Sequence, residues 1–229
     1  MGLPSGYTQL EYIGLSGSQY IDTGFKPNNN TRVVMDFYMK NDSKATQYIF
    51  GARTNTSTQR YDFLWSSSAS SYTSLIYNGN AVNYKLEGVE ANGRHFVEKD
   101  KTTTTLDGVS VTSDNTNAFT AAYTMYIGTC NNAGSALAGL TGSVYYCTIY
   151  DNGTLIRDFV PCKNASGVVG MYDTVNNVFY GNSGSGAFTA GPEIAGETPE
   201  TYIGYVNIGG VLKPVTRGYM NTGGVVEML

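Results

Sequence analysis

Residues 145–192 read YYCTIYDNGTLIRDFVPCKNASGVVGMYDTVNNVFYGNSGSGAFTAGP and open with a β-hairpin. Residues 145–150 and 154–160 are rich in β-branched and aromatic side chains, and they flank Asp151-Asn152-Gly153. An Asn-Gly pair supplies the positive φ angles that a tight hairpin turn needs. Pro161 is expected to end the second strand, because proline has no N–H for the ladder.

A second hairpin follows in the same stretch. Residues 168–172 and 177–180 flank the turn 173–176, and the glycine-rich run 182–186 turns the chain again toward Phe188. The two hairpins together predict the closing sheet of an all-β domain.

The composition of the whole chain is that of a β-sandwich. Its 229 residues include 19 Tyr and 28 Gly, which suit pleated faces and the turns between short strands. About fourteen strands follow one another at short spacing, among them residues 31–39, 46–53 and 60–65. This pattern predicts two antiparallel sheets of about six or seven strands each.

The character of the sequence changes after residue 192. Residues 193–201 are acidic, contain no aromatic residue and are predicted to form a linker. Beyond them the motif Tyr-x-Asn-x-Gly-Gly at Tyr205 recurs fourteen residues later at Tyr219. Residues 202–229 are therefore predicted to form a two-unit β-hairpin repeat. A lone hairpin is marginally stable, so the two units are expected to stack on each other, on the sandwich or on copies from other chains.

Charge and hydropathy argue against two kinds of partner. The formal net charge is −4, and no run of Lys or Arg supplies the clustered basic face that phosphate contacts need. The sequence has no apolar stretch of about 18 residues, and its N-terminus lacks the basic and apolar regions of a signal peptide. Neither a nucleic-acid partner nor a membrane partner is expected.

Several runs of residues carry a resemblance to a known family. They are 155–162 (LIRDFVPC), 170–173 (GMYD) and 179–184 (FYGNSG), together with the opening runs 3–13 (LPSGYTQLEYI), 20–24 (YIDTG) and 50–53 (FGAR). These runs resemble the laminin-G-like, concanavalin A-like jelly-roll modules that occur in tail and other virion proteins of phages and prophages of Gram-positive gut bacteria. The resemblance implies a jelly-roll domain over residues 1–192.

The resemblance also implies a binding or structural role on the surface of a phage particle, with other virion proteins as partners. The leading expectation is a non-enzymatic tail or capsid-surface module that binds glycans of a bacterial cell surface or of mucus. The alternative is a purely structural decoration protein that docks to the particle, or forms a homo-oligomer, through residues 202–229. A glucanase-like hydrolase and a bacterial surface adhesin are the remaining alternatives.

The acidic residues do not match a glycosidase. Retaining hydrolysis needs two carboxyl groups about 5 Å apart, and the related glucanases carry them as Glu-x-Asp-x-x-Glu on one strand. The nearest approach is Glu98-Lys99-Asp100, which lacks the third acid. His95 is the only histidine and is interpreted as a partly exposed strand residue. The chain is therefore predicted not to be an enzyme.

No metal or cofactor is predicted, with calcium left open. Asp158 is interpreted as an acceptor of hydrogen bonds from a loop. Calcium would need several converging oxygen ligands, to which Asp22, Asp151 or Asp173 could contribute. The three cysteines, Cys130, Cys147 and Cys162, lack zinc-site spacing and are odd in number. They are predicted to be buried, reduced thiols, with a Cys147–Cys162 bridge as the alternative.

The predicted carbohydrate-binding residues are Arg53, Trp65, Tyr77 and Asn78. Each lies beside a polar loop, where an aromatic ring can stack on a sugar and Arg or Asn can fix its hydroxyl groups. A core position is the alternative interpretation of Trp65.

Overall fold

The computed structural model describes residues 3–41, 46–54, 59–77, 84–114 and 117–194, and the strands within residues 202–228. These residues form strands, turns and loops, and no helix that could cross a membrane occurs among them. The chain divides into two compact units, Met1–Ile194 and Ala195–Leu229.

The described part of the first unit contains nineteen strands. They are β1 (Tyr7–Gln9), β2 (Ile13–Ser16), β3 (Ile21–Asp22), β4 (Thr31–Met39), β5 (Thr46–Arg53), β6 (Arg60–Ser66), β7 (Ser71–Tyr77), β8 (Tyr84–Leu86), β9 (Gly93–Asp100), β10 (Thr103–Leu106), β11 (Val109–Thr112), β12 (Tyr126–Ile127), β13 (Asn131–Asn132), β14 (Ser135–Ala136), β15 (Thr141–Asp151), β16 (Thr154–Asn164), β17 (Val169–Asp173), β18 (Val178–Tyr180) and β19 (Thr189–Ala190).

These strands form two sheets. The larger has eleven strands in the order β11-β10-β9-β4-β15-β16-β17-β18, with β1 on β16, β2 on β15 and β19 on β2. The smaller has eight in the order β14-β13-β5-β6-β7-β8, with β12 on β5 and β3 on β12. All pairs are antiparallel except β5–β13. The predicted all-β sandwich of two sheets is confirmed, but six or seven strands per sheet was too few, because strands of two to four residues show little periodicity.

The core lies between the sheets and follows the period of two along each strand. Strand β4 sends Val33, Met35 and Phe37 into it, and β6 sends Tyr61 and Phe63 from the opposite sheet. All five side chains are fully buried. Burial of each large apolar side chain contributes about 1.5–3 kcal/mol, so this alternation stabilises the stacked arrangement of the sheets.

The predicted hairpin at Asn152 is confirmed. Asn152 has φ 49° and Gly153 has φ 80°, and Asp151 pairs with Thr154 across the turn. The prediction that Pro161 ends the strand is wrong, because β16 continues to Asn164. Pro161 is paired with Met171 of β17, and its carbonyl accepts from the N–H of Leu10 on the other side of the strand. Because the N–H and C=O of a strand residue point to the same side, the missing N–H faces the gap between β15 and β1 and interrupts no bond to β17.

Two residues past the predicted end of the sandwich still belong to it. Glu193 forms a β-bridge with Leu10, and the backbone N–H of Ile194 donates to the carbonyl of Gln9 at 3.0 Å.

The described residues of the second unit form two antiparallel hairpins. The first joins β20 (Tyr202–Ile208) to β21 (Val211–Thr216), and the second joins β22 (Tyr219–Thr222) to β23 (Val225–Met228). The strands of both hairpins flank the repeated Gly-Gly pairs of the sequence.

Candidate functional site

Strand β6 divides its side chains between the two faces of the smaller sheet. Tyr61, Phe63 and Trp65 belong to the core cluster between the sheets. Because successive side chains of a strand point to opposite faces, the outer face carries the remaining residues Arg60, Asp62, Leu64 and Ser66. This outer face of β6 therefore carries three polar side chains, Arg60, Asp62 and Ser66, on a strand that is paired on both sides.

A groove of about 510 Å³ lies on this outer face. Strands β5 to β8 and the turn at 67–70 line it with Thr46, Tyr48, Arg53, Arg60, Leu64, Ser66, Ser68, Ala69, Thr73 and Lys85. Its volume is within the range of about 300–1,000 Å³ that small-molecule sites occupy. The lining residues that the structure describes are mainly hydroxyl-bearing and cationic, and no carboxylate is among these. The groove is the candidate site.

Arg53, one of the predicted binding residues, forms part of the groove wall. It ends β5 and is 8% exposed. Its Nε donates to Asn132 Oδ1 at 2.8 Å, and its Nη1 donates to the Tyr48 hydroxyl at 3.1 Å. Strand β13 places Asn132 there by pairing in parallel with the end of β5. These two neutral partners fix the orientation of the guanidinium.

Arg60 is held in the groove by Asp62. The Nε of Arg60 lies 2.6 Å from Oδ2 of Asp62, and Asp62 is completely buried. Asp62 is paired across the ladder with Gly51, where a Cβ atom would lie only 2.3 Å from the Cβ of Asp62. Only glycine at position 51 leaves room for the aspartate, so the ion pair depends on both strands.

A small apolar cluster lies on the same outer face. It consists of Tyr48, Leu64 and Cys130, with Leu137 packed against them. Burial, reinforced by the negative charge of Asp62, raises the pKa of the Tyr48 hydroxyl and raises that of the Cys130 thiol well above its ordinary value. Tyr48 therefore remains a neutral hydrogen-bonding group in the groove at physiological pH.

Trp65 is not a stacking platform in this structure. It is 6% exposed, belongs to the core cluster, and packs edge-on against Tyr72 with ring centroids 5.1 Å apart. Trp65 is buried because alternate residues of a strand share one face, and Tyr61 and Phe63 on the same face of β6 are also in the core. The alternative interpretation, a core tryptophan, describes its position.

The side chains of the other two predicted binding residues, Tyr77 and Asn78, are not described by the structure. Tyr77 ends β7, where its backbone pairs with Arg60, and its side chain is outside the described part of the structure. Asn78 lies outside the described residues altogether. Among the described side chains of the predicted set, only Arg53 contributes to the groove.

Sequence reasoning missed Tyr48, Arg60 and Lys85 as site residues. The alternation of β6 was a usable signal, because assigning its aromatic residues to the core puts Arg60 on the opposite face. The placement of Lys85 has no such signal, since it depends on the register between β7 and β8, in which Lys85 is opposite Thr73.

His95 is buried, not partly exposed as predicted. It is 5% exposed, its Nδ1 lies 2.6 Å from Oδ2 of Asp107, and its ring packs near Phe37 and Tyr72. The other ring nitrogen, Nε2, is buried and has no hydrogen-bond partner in the part of the chain that the structure describes. The pair anchors the Asp107 turn, because Oδ1 of Asp107 also accepts from the backbone N–H of Phe96.

The aspartates considered for calcium have separate structural partners. Asp158 accepts a hydrogen bond from Thr174 in the loop after β17, as its interpretation requires. Asp173 is fully buried and accepts from the backbone N–H of Asp158 and from Asn176. Asp22 and Asp151 accept from Gly24 and Asn28, respectively. Within the described ranges, no group of three or more His, Cys, Asp or Glu is placed to hold a metal ion.

The acids of the nearest glucanase-like run lie on the other sheet. Lys99 is fully buried in the core, so its neighbours Glu98 and Asp100 lie on the outer face of the larger sheet. Glu98 accepts from Nε of Arg32 at 2.6 Å.

The three cysteines are buried free thiols, which confirms the prediction. The alternative bridge between Cys147 and Cys162 is wrong, because the register pairs Cys147 with Phe159, three residues before Cys162.

Comparisons with known proteins add no assignment. No protein-family model matches the chain, and no curated protein matches it either.

Proposed function

We propose that the sandwich is a non-enzymatic glycan-binding module and that the groove on the outer face of the smaller sheet is its binding site. The observation that carries the proposal is the lining of the groove, where guanidinium, phenol and hydroxyl groups stand on paired strands. Sugar hydroxyl groups both donate and accept hydrogen bonds, and planar polar groups of fixed orientation select among their arrangements. Groups on strands keep that orientation better than groups on loops.

Binding without cleavage is supported by the acids around the groove. Asp62 is the acid of the outer face of β6, and it is fully buried and engaged by Arg60. A retaining glycosidase needs two carboxyl groups about 5 Å apart on either side of the glycosidic bond. The described lining offers serine, threonine, tyrosine and basic side chains instead.

The proposed setting of the module is the surface of a phage particle. The resemblance of its opening and closing runs to phage jelly-roll modules favours a tail or capsid surface as that setting. The glycan is then one carried by a bacterial cell or by mucus.

Filling the groove tests the proposal. The full chain and its Ser66→Tyr variant are applied to an array of bacterial and mucin-type glycans. Ser66 lines the groove, so a tyrosine there is expected to abolish binding that the unmodified chain shows. The matched control is Ser110→Tyr, on an exposed position of β11. An absence of glycan binding by the unmodified chain, or equal binding by the Ser66→Tyr variant, contradicts the proposal.

A second candidate function concerns residues 202–229. The unit contains two hairpins, each a two-stranded sheet, and a two-stranded sheet is marginally stable in water without a further surface. Docking to another virion protein would supply that surface. Deletion of residues 202–229 is expected to abolish co-sedimentation with particles while the sandwich still folds and binds glycans. Retained co-sedimentation contradicts this role.

A further inference from the structure

Among the described residues that line the groove, every side chain that is charged at neutral pH is cationic. Arg53, Arg60 and Lys85 line it, whereas the chain as a whole carries a formal charge of −4. Asp62 offsets the charge of Arg60 by a direct ion pair. Two positive charges, on Arg53 and Lys85, therefore face the groove without a carboxylate partner among the described residues.

Arg53 is a nearly buried cation whose hydrogen-bond partners are neutral. It is 8% exposed, and its hydrogen bonds go to the amide oxygen of Asn132 and the hydroxyl of Tyr48, both neutral. Removing a cation from water without an anionic partner is unfavourable. A negatively charged group bound in the groove would offset that cost. A guanidinium can bind a carboxylate, sulfate or phosphate by donating two parallel N–H hydrogen bonds to it.

Lys85 completes the arrangement. Its side chain is exposed on β8, next to Thr73 of β7 across the ladder, and it has no ion-pair partner in the described part of the chain. Glu87, in the turn that follows, does not line the groove. Lys85 on β8 and Arg53 on β5 line the same groove from its two outer strands. An exposed ammonium at one side can attract an anion that a buried guanidinium then holds in a fixed orientation.

We infer that the groove selects acidic glycans, whose sugars carry a carboxylate, sulfate or phosphate group, over neutral ones. The inference rests on the proposed function of the groove and adds the charge class of its ligand. The negative charge of the chain as a whole favours this site over the remaining surface, since it disfavours anions elsewhere.

Matched glycan pairs test the inference with the full chain. N-acetyllactosamine is presented on one array in its neutral, sialylated and sulfated forms, and mannose is presented with and without a 6-phosphate. The unmodified chain is expected to bind charged members and to lose affinity as salt is raised, because exposed ionic attraction is screened. Which charged member binds best distinguishes a carboxylate from a sulfate or a phosphate.

Charge variants locate the effect in the groove. Lys85→Gln is expected to weaken binding of the charged glycan about 10-fold, the loss typical of one charge-assisted hydrogen bond, and Arg53→Gln at least as much. Lys26→Gln is the matched control, because Lys26 is exposed and does not line the groove. Circular dichroism verifies that each variant is folded. Should Arg53→Gln fail to fold, Lys85→Gln and Lys85→Glu carry the test.

The outcomes separate the two proposals. Equal binding of neutral and charged members overturns the inference and leaves glycan binding in place, whereas no binding to any glycan overturns both. Unchanged affinity in Lys85→Gln and Lys85→Glu overturns the inference even if acidic glycans bind. Competition by poly-glutamate as strong as that by a soluble acidic glycan also overturns it, because the groove would then accept acidic peptides equally well.

Discussion

The Nε of Arg60 lies 2.6 Å from Oδ2 of Asp62, two residues further along the same face of β6. Asp62 is completely buried, and its second oxygen, Oδ1, has no hydrogen-bond partner among the described residues. The arginine is therefore the main counterion of a buried carboxylate that forms part of the groove's support. Replacing Arg60 is therefore expected to change the stability of the sandwich as well as the charge of the groove.

Substitution of one partner is expected to destabilise more than substitution of both. Arg60→Met leaves the carboxylate of Asp62 buried and uncompensated, which costs about 3–5 kcal/mol. Arg60→Met combined with Asp62→Asn removes both charges and is expected to recover most of that loss. Urea unfolding of both single variants and of the double variant measures the coupling. A loss below about 1 kcal/mol for Arg60→Met would show that the pair contributes little.

Gly51→Ala tests the close approach of β5 to Asp62. The new Cβ would lie 2.3 Å from the Asp62 Cβ and 2.9 Å from its Cα, so the strands must separate. We expect a loss of about 1–3 kcal/mol in the free energy of unfolding. Gly93→Ala is the matched control, since a Cβ at this strand glycine meets nothing closer than 3.5 Å. Control and test variants of equal stability would contradict the steric explanation.

The long strands were predictable because they carry a full alternating pattern. The predicted strands 31–39 and 46–53 coincide with β4 and β5. The pairing of β4 with β15, more than a hundred residues later, was not predictable, because alternation gives the inward face of a strand but not its neighbour. Strands β13 and β14 were missed because two residues each are too few to show a period.

The residues of the candidate site were harder to predict than the long strands, because the sequence pattern does not give the order of the strands in the sheet. Arg53 was identified because it adjoins a polar loop, which is a local property. The groove arises only when β5, β6, β7 and β8 are side by side, and that order is a tertiary property. Trp65 was placed at the site because an aromatic residue beside a polar loop suits a sugar, yet burial of the ring between the sheets is more favourable than exposure.

Trp65→Ala is expected to destabilise the sandwich rather than to act on a ligand directly. Deleting a buried tryptophan side chain costs about 3–5 kcal/mol, through lost burial and the cavity that remains. Trp65→Phe retains most of the core contact and is expected to cost less and to leave glycan binding unchanged. Thermal unfolding followed by circular dichroism measures both variants. Loss of glycan binding in a stably folded Trp65→Phe variant would show that Trp65 takes part in binding.

The cysteines provide a test of the packing of the sandwich. All three are buried and unpaired, and burial raises the pKa of the thiols of Cys130 and Cys147. Thiolates are the reactive species, so a folded chain is expected to react slowly with a thiol reagent such as Ellman's reagent at pH 8. Three thiols should react per chain in denaturant. Rapid reaction of the native protein would show that the core opens readily.

Lys99 predicts a pH dependence of stability that is opposite to that of the tyrosines and cysteines. Its side chain is fully buried, its Nζ donates to Ser74 Oγ at 2.6 Å, and it lies 4.8 Å from the ring centroid of Tyr61. Burial lowers the pKa of Lys99 from 10.5 to about 7. Below pH about 7 the amine is protonated in both folded and unfolded chains, and the full cost of burying its charge is present.

Between pH about 7 and 10.5 the unfolded chain binds more protons at Lys99 than the folded chain, so stability rises with pH, by up to about 1.4 kcal/mol per pH unit. The buried thiols act in the opposite direction above pH about 9, because they ionise first in the unfolded chain. The rise is therefore best measured by urea unfolding between pH 7 and about 8.5. Lys99→Met is expected to remove the rise and to stabilise the protein by about 1–4 kcal/mol at pH 7. An exposed-lysine control, Lys26→Met, should keep the rise, and a rise that persists in Lys99→Met would assign it to another group.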